Sequence, residues 1–252
     1  MITRDIKQVQ FRTDRLARLA QIERWHFWFI GRRALVNRLL AKYIGNGTKR
    51  LLDIGCGTGI MVEILSAQGH KVVGLDLLPQ GLRSTRHKVP HSMLIQADLS
   101  IQLPLSDKVF DVVIVLDVLE HVDDESLLEE VNRVLNPGGI ILLTVPAFPW
   151  LWSFRDEDAG HLRRYTRKSI HDLMSKSDLQ IIETRYYQFF LFPFIAMTRL
   201  IGRKRKEMRD FEEQPIWVIN KALSWINRLE VWLSDYIPLP YGSSMAIVCQ
   251  KS

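Results

Sequence analysis

The chain has 252 residues, of which 47% are hydrophobic and 25% are charged, with a net charge of +6 and a pI near 9.4. This composition is typical of a soluble globular protein, and the length fits one α/β domain with an appendage. The sequence contains no internal repeat and no low-complexity tract. The positive charge favours an anionic partner but does not separate a membrane from a nucleic acid or a phosphorylated substrate.

The first residues and the cysteines bear on the compartment. Met1 to Arg12 are polar and basic without an apolar run, so no secretory signal is expected there. Cys56 and Cys249 form neither a disulfide pattern nor a metal-ligand pattern, and both are expected to be reduced. The sequence therefore predicts a cytoplasmic protein.

Apolar runs and helical patterns alternate along the middle of the chain. The runs predict strands at Arg50–Ile54, Lys71–Leu75, Ser92–Ala97, Phe110–Leu116 and Ile140–Val145, with two more at Leu179–Tyr187 and Ser244–Cys249. Helices are predicted at Ile60–Gln68, after Pro79, at Glu125–Leu135 and at Thr166–Ser175. The turn Asn136-Pro137-Gly138-Gly139 is expected to end a helix and start the fifth strand. The alternation predicts a parallel sheet with right-handed crossovers.

A turn with three glycines follows the first predicted strand, in the run Leu51-Leu52-Asp53-Ile54-Gly55-Cys56-Gly57-Thr58-Gly59. Glycine permits positive φ and leaves no Cβ to block a ligand, and the helix that follows begins with unpaired N–H groups. A dinucleotide fingerprint needs glycine where this chain has Ile60, which disfavours a nicotinamide oxidoreductase. With Asp53 two residues before the first glycine, the run resembles the first motif of class I S-adenosylmethionine (SAM) dependent methyltransferases.

That resemblance implies a Rossmann-like seven-stranded fold, an antiparallel hairpin of the last two strands, and SAM as the cofactor. Ligands of an open α/β sheet lie beyond the carboxyl ends of its strands. By resemblance, Asp53 holds the methionine part of SAM, Asp76 accepts from the ribose hydroxyls and Asp98 accepts from the adenine amino group. The predicted cofactor residues are Asp53, Gly55, Cys56, Gly57, Gly59, Asp76, Leu77, Asp98, Leu99 and Asp117. Each acid taken alone is more often a helix cap, so the combination carries the prediction.

The segment after the fourth strand is Leu116-Asp117-Val118-Leu119-Glu120-His121-Val122. It resembles the ubiquinone/menaquinone-type branch of the family and is expected to line the methyl-transfer pocket. Because the methyl group of SAM is already activated, positioning carries much of the rate, and a base is needed only if the acceptor must lose a proton. His121 and His161 are the predicted catalytic residues. The alternative is that His121 only caps or packs the pocket.

A long aromatic and charged loop, Pro146 to Tyr165, follows the fifth strand on the ligand edge of the sheet. It resembles a loop in a bacterial and archaeal methyltransferase subgroup whose genes often neighbour glycosyltransferases. This resemblance predicts that Asp156, Arg164 and Tyr165 contact the substrate, and the alternative is a solvated network of acids and arginines. Asp156, Asp158 and His161 match no recognised ligand spacing, so no metal is expected.

The run from Glu23 to Arg33 resembles the same subgroup. In class I enzymes, helices ahead of the first strand commonly cover the SAM pocket. Residues 1–45 are therefore expected to form a helical lid, with His26, Trp28 and Arg32 as substrate-binding residues. The alternative is an aromatic seam that packs the helix onto the sheet.

About fifty residues separate the sixth and seventh strands, far more than a hairpin loop needs. We expect a helical insertion at 188–242, joined to a SAM-binding core at 46–187 and 243–252. Phe189–Met197 is too short to span a bilayer, and the basic run Arg203–Lys206 follows it. The insertion is predicted to meet an anionic membrane surface through 189–240, peripherally on the inner face, or to admit a lipid-like acceptor. The alternative is a helical hairpin whose apolar faces pack on the sheet, cover the pocket or form a homodimer.

These features predict a SAM-dependent methyltransferase acting on a small acceptor that is hydrophobic or linked to a lipid or sugar, with O-methylation favoured. No nucleic-acid partner is expected, because no Asn-Pro-Pro-Tyr-like motif follows the fourth strand. Two alternatives stay open. One is a methyltransferase acting on a protein or nucleic acid, and the other is a non-catalytic SAM-binding regulatory protein.

Overall fold

The computed structural model of the chain describes residues 16–202 and 215–252. The first 15 residues of the predicted lid and the basic run Arg203–Lys206 lie outside the described residues. Within them, the strands are β1 (Arg50–Ile54), β2 (Lys71–Asp76), β3 (Met93–Gln96), β4 (Phe110–Leu116), β5 (Leu135–Pro146), β6 (Leu179–Tyr187) and β7 (Ser244–Lys251). The helices are α1 (residues 16–22), α2 (Phe27–Tyr43), α3 (Ile60–Ala67), α4 (Pro79–Lys88), α5 (Asp124–Val134), α6 (Phe154–Ala159), α7 (Arg167–Met174), α8 (Phe192–Gly202) and α9 (Trp217–Leu233).

The strands form one seven-stranded sheet in the order β3-β2-β1-β4-β5-β7-β6. Strands β1 to β5 pair in parallel, and β7 lies antiparallel between β5 and β6. The predicted Rossmann-like fold with a final antiparallel hairpin is confirmed. The strand order reverses at β1 and β4, whose carboxyl ends therefore flank the crevice in which such sheets bind ligands.

Strand β5 is longer than predicted and begins at Leu135, so that the Pro-Gly-Gly turn lies inside it. Leu135 pairs with Phe110 and Ile140 pairs with Val112, so four residues of β5 lie opposite the single residue Asp111. The Asn136 amide donates to the Asp111 carboxylate at 2.9 Å, and Gly138 has a φ of +72°. The predicted turn is therefore a bulge whose polar groups are satisfied by the neighbouring strand.

Two apolar layers cover the two faces of the sheet. Because successive strand residues point to opposite faces, Val113 and Val115 of β4 belong to the layer with α5 and α7. Val112 and Ile114 of the same strand belong to the layer with α2 and α3. The continuous apolar run of β4 thus marks a central strand that is buried on both sides.

The insertion contains α8 and α9, and α9 packs along α2. The buried face of α9 is largely polar: the Asn220 amide donates to Trp25 O at 2.6 Å and accepts from Phe27 N at 2.8 Å, while the Asn227 amide donates to Phe27 O at 2.9 Å. The exposed face is apolar, with Trp217 65% and Trp225 64% exposed. Among the described residues, no helix has the length and apolarity required to cross a membrane.

Candidate active site

A cavity of about 430 Å³ opens at the carboxyl ends of β1 and β4. The glycine turn after β1, the segment after β4 and the loop after β5 all contribute to its wall, together with α1, α2 and Arg199 of α8. Five of the ten predicted cofactor residues and most predicted acceptor residues therefore line the same cavity. The predictions for individual site residues stay predictions.

The glycine turn takes a conformation that only glycine adopts without strain. Gly55, Gly57 and Gly59 have φ values of +71°, +56° and +83°. A Cβ on Gly55 would lie 2.4 Å from Val118 Cγ2, and a Cβ on Gly59 would lie 2.3 Å from Thr85 Oγ1. A Cβ on Gly57 would instead have Leu16 Cδ1, at 3.9 Å, as its nearest neighbour. Two glycines thus let the turn pack against the protein, and Gly57 keeps the wall of the cavity open.

Polar groups at this turn fit the methionine part of SAM. Helix α3 starts directly after Gly59 without a side-chain cap, so its first N–H groups can donate to a ligand acceptor such as a carboxylate. The hydroxyl oxygen of Thr58 lines the cavity, is buried, and has no hydrogen-bond partner among the described residues. A buried polar atom without a partner is costly, and a bound polar ligand would supply one.

Asp53 and Cys56 lie on either side of the first glycine, and both line the cavity. Asp53 is 3% exposed, and burial raises the pKa of its carboxyl to about 7, with the Arg32 charge opposing that rise. A ligand ammonium group would favour the ionised carboxylate, as expected for an acid that holds the amino group of SAM. Burial also raises the pKa of the Cys56 thiol far above its usual range, so this cysteine is an inert wall residue.

Asp76 supports the turn from the end of β2. Its carboxylate accepts from Gly57 N and from Leu78 N, both at 2.8 Å. Each oxygen retains a lone pair that can accept from a ribose hydroxyl. Among the described residues, the cavity lining does not include Asp76, Leu77, Asp98, Leu99 or Gly59. Asp98 instead caps a turn, accepting from Ser100 N at 2.9 Å and from Ser100 Oγ at 2.8 Å.

Asp117 follows β4 and has a φ of +53°, an unfavourable conformation for a residue with a Cβ. Its carboxylate accepts from the Arg32 guanidinium of α2 and from Thr144 Oγ1, the latter at 2.9 Å. Arg32 Nε is buried and has no hydrogen-bond partner among the described residues. The pair joins the lid helix to the end of the central strand and lines the cavity. The strained backbone is thus held where the predicted methyl-transfer pocket begins.

Asp156 of α6 is the centre of a buried ionic network. Its carboxylate accepts from Arg164 Nε at 2.7 Å, from Arg199 Nη1 at 3.0 Å and from His161 Nδ1 at 2.9 Å. Ser153 adds its N–H and its hydroxyl. Although burial opposes ionisation, the His161 hydrogen bond and the two arginine charges hold the pKa of Asp156 below its usual range. The predicted alternative of a solvated network does not describe this group, which is 1% exposed.

Glu120, His121 and His161 meet at the same end of the cavity. The imidazole rings of His121 and His161 contact edge to face, with centroids 4.8 Å apart, and His161 Nε2 lies 3.8 Å from Glu120 Oε1. Glu120 is 1% exposed, and neither of its carboxylate oxygens has a hydrogen-bond partner among the described residues. Burial, and then the Asp117 charge, raise the pKa of Glu120 well above its usual range.

The remaining predicted residues divide into two groups. His26 and Trp28 line the cavity, and His26 also caps α2 by accepting from Trp28 N at 3.2 Å. Tyr165 is buried and is not among the described lining residues. Its hydroxyl donates to Asp124 Oδ2 at 3.0 Å, which gives it a structural contact in the layer beside α5.

Two residues of the site were not selected from the sequence. Glu120 belongs to the segment after the fourth strand, but nothing in the sequence of that segment indicates that its carboxylate is buried. Arg199 follows the apolar run of the insertion and has no motif around it, yet it is 9% exposed and bound to Asp156. No local pattern could have indicated a contact across 43 residues.

A family model described as a methyltransferase domain matches residues 19–184, more than half of the chain. The match spans the glycine turn, the segment after β4 and the loop after β5. It ends inside β6 and therefore does not include the insertion.

Individual relatives agree with this match. The chain is 32% identical over 150 residues to a ubiquinone biosynthesis O-methyltransferase of Idiomarina loihiensis, covering 54% of this chain and 60% of the relative. It is 34% identical over 115 residues to an uncharacterized methyltransferase of Mycobacterium tuberculosis, covering 46% and 44%. The chain thus spans about two fifths to three fifths of the length of the curated relatives it matches.

A solved structure supports the fold. The TehB-like SAM-dependent methyltransferase of Corynebacterium glutamicum superimposes with a TM-score of 0.56 at 18% identity, covering 98% of this chain and 99% of that one. At this identity the similarity concerns the fold alone.

Proposed function

The chain belongs to the class I SAM-dependent methyltransferases, whose cofactor is SAM, and we propose that it methylates an oxygen of a small acceptor that is hydrophobic or lipid-linked. The observation that carries this proposal is the single cavity that joins the glycine turn to the cluster of Glu120, His121 and His161. A methyl donor at one end and ionisable groups at the other are what O-methylation requires.

The reaction needs two things from the protein. It must align acceptor oxygen, methyl carbon and sulfur in a space that excludes water. It must also remove the hydroxyl proton as the oxygen attacks, because a neutral hydroxyl is a weak nucleophile. The acceptor oxygen forms a bond to the methyl carbon, the carbon–sulfur bond breaks, and its electron pair stays on sulfur in S-adenosylhomocysteine. His121 and His161 are the groups that support removal of the proton.

The exposed faces of α8 and α9 support a lipid-linked acceptor. One side of α8 carries Arg199 into the cavity, while the other exposes Phe194, Met197 and Leu200. Helix α9 exposes Trp217, Trp225 and Trp232, and both of its exposed charges, Lys221 and Arg228, are positive. Tryptophan and positive charge are typical of elements that bind an anionic membrane surface. An acceptor anchored in that surface would reach the cavity beside α8.

The test uses methyl-labelled SAM with a total cell extract, followed by separation into lipid, small-molecule, protein and nucleic-acid fractions. We expect label in the lipid or apolar small-molecule fraction, and a loss of about a hundredfold or more with His121→Asn. Label in the protein or nucleic-acid fraction would contradict the proposed acceptor. SAM binding by calorimetry without any transfer would favour a non-catalytic binding protein.

Membrane binding is tested separately by flotation with phosphatidylcholine vesicles. One set also contains about 30% phosphatidylglycerol, an anionic lipid that makes the vesicle surface negative. The chain is expected to float only with the anionic vesicles, and the double variant Trp225→Ser, Trp232→Ser is expected to stay at the bottom. Trp25→Ser, which alters an exposed tryptophan outside the insertion, is the matched control. Equal flotation of all three proteins would rule out a role of α9.

A further inference from the structure

The proposed reaction gives a role to His121 and His161 but none to Glu120, the buried acid beside them. Each of the three residues offers one atom that can bind a metal ion, and the three atoms all lie within 4.8 Å of one another. They come from a short 3-10 turn after β4 and from the loop after α6, so the fold and not the sequence brings them together. The residues differ from the set of Asp156, Asp158 and His161 that the sequence offered.

The buried carboxylate of Glu120 needs a positive partner or a proton. It is 1% exposed, and its oxygens accept no hydrogen bond from any described residue. The nearby guanidinium groups are hydrogen-bonded to other acids, Arg32 to Asp117 and Arg164 to Asp156. An isolated buried carboxylate is costly, and buried charges are normally paired or bound to a metal.

The two imidazoles are oriented as metal ligands usually are. His161 Nδ1 lies 2.9 Å from the Asp156 carboxylate, and His121 Nδ1 lies 3.1 Å from Gly160 O. Because a carbonyl and an ionised carboxylate can only accept, Nδ1 carries the proton in both rings. In a neutral imidazole the Nε2 atom then holds the lone pair that binds a metal. Histidine ligands almost always donate their other N–H to a carboxylate or a backbone carbonyl in this way.

The spacing requires only a small adjustment. Donor atoms around a tetrahedral ion with bonds of about 2.1 Å lie about 3.4 Å apart. The His161 Nε2 to Glu120 Oε1 distance is 3.8 Å, and one ligand atom from each of the three residues lies within 4.8 Å of the other two. Two imidazoles and one carboxylate suit Zn²⁺, Fe²⁺, Co²⁺ or Mn²⁺ better than Mg²⁺ or Ca²⁺, which prefer oxygen ligands.

We propose that Glu120, His121 and His161 bind a divalent transition-metal cation, which holds the hydroxyl oxygen of the methyl acceptor. The role of the cation in holding the acceptor rests on the proposed function, whereas the binding of the cation does not. A bound cation lowers the pKa of a coordinated hydroxyl, so the proton leaves to water and the oxygen attacks the methyl carbon. The histidines then act by holding the cation and not as bases. Three protein ligands leave coordination positions for one or two acceptor oxygens, which favours a phenol or a vicinal diol as acceptor.

The test measures metal binding without SAM and without acceptor. Purified chain is dialysed against a chelator, and Co²⁺ is titrated while visible absorption and calorimetry follow its binding. We expect one equivalent to bind, with a d–d spectrum of four or five ligands, and a fall in affinity of about tenfold or more for Glu120→Gln and His161→Asn. His91→Asn, which alters an exposed histidine, is expected to bind like the wild type.

Two further measurements distinguish a loss of metal binding from a loss of the fold or of SAM binding. Each variant is checked by thermal unfolding and by SAM calorimetry, because a variant that binds SAM normally has kept its fold. Failure of the folded wild type to bind Co²⁺, Zn²⁺ or Mn²⁺ would overturn the metal proposal and leave His121 and His161 as bases. Binding that Glu120→Gln and His161→Asn leave unchanged would also overturn it. If the folded wild type did not bind SAM, the proposed function would instead be refuted.

Discussion

The two ends of the cavity are built in different ways. At the cofactor end, backbone groups and glycines form the wall, and the partners are close in sequence, as where Gly57 N donates to Asp76 across 19 residues. At the acceptor end, side chains form the wall, and Asp156 of α6 is bound by Arg199 of α8. A site made of backbone follows from a local motif, whereas a site made of side chains depends on the tertiary fold.

The two ends also treat buried charge differently. Asp53 at the cofactor end relies on a ligand to stabilise its ionised form, because burial outweighs the favourable charge of Arg32. Asp156 at the acceptor end is neutralised by the protein itself. We therefore expect substitutions at the acceptor end to affect the free energy of unfolding most, and substitutions at the cofactor end to affect pH dependence and SAM affinity.

The largest effect is expected for Asp156→Ala. The substitution leaves Arg164 and Arg199 buried without their anion, and breaking such a buried network typically lowers the free energy of unfolding by about 3–5 kcal/mol. Urea denaturation measures it. Asp172→Ala, which breaks an exposed pair with Lys168, is the control and should leave the midpoint unchanged. A loss for Asp156→Ala no larger than for the control would mean that water reaches the network.

The next effect concerns Asp53 and pH. Its folded-state pKa of about 7 lies above the value near 3.9 expected for an unfolded chain, so the folded state holds the proton more tightly. The wild type should therefore lose about 2–4 kcal/mol relative to Asp53→Asn as the pH rises from about 4 to about 7. Denaturation of both proteins at several pH values measures the difference.

SAM supplies the control for this prediction. Its ammonium group stabilises the ionised carboxylate, so SAM affinity should rise with pH up to about 7 in the wild type and stay flat in Asp53→Asn. Parallel pH curves for the two proteins, with and without SAM, would show that Asp53 ionises normally and does not contact the cofactor.

A smaller difference in the free energy of unfolding is expected between alanine substitutions at two glycines with nearly the same backbone conformation. Gly55 and Gly138 have φ values of +71° and +72°, so alanine costs each about 1–2 kcal/mol in backbone strain. Only at Gly55 would the new Cβ also clash, lying 2.4 Å from Val118, while Gly138 has nothing within 4 Å. Gly55→Ala should thus lose about 1–3 kcal/mol more than Gly138→Ala. It alone should lose SAM affinity, by calorimetry, and equal losses would refute a packed turn.

The same division explains what the sequence could predict. The strands and the glycine turn were predictable because apolar periodicity and glycine spacing are local, and the bounds of β1, β4 and β6 are those observed. Leu135 was placed in a helix because the bulge that begins β5 depends on Asp111 of β4. Glu120 and Arg199 could not be selected, because their burial depends on elements that are distant in the chain.

Helix α9 buries polar residues and exposes apolar ones, contrary to the usual rule. Its exposed apolar face gives the smallest expected change in the free energy of unfolding. Asn220→Ala removes the acceptor of Phe27 N and the donor to Trp25 O, which should cost about 1–2 kcal/mol. Trp225→Gln replaces a large apolar side chain that is 64% exposed and should change the free energy of unfolding by less than about 0.5 kcal/mol. Urea denaturation at two protein concentrations measures both. Trp225→Gln could instead lower the free energy of unfolding more than Asn220→Ala does, and only at the higher protein concentration. That result would mean that a second copy of the chain covers the exposed face of α9, and that this face does not bind a membrane.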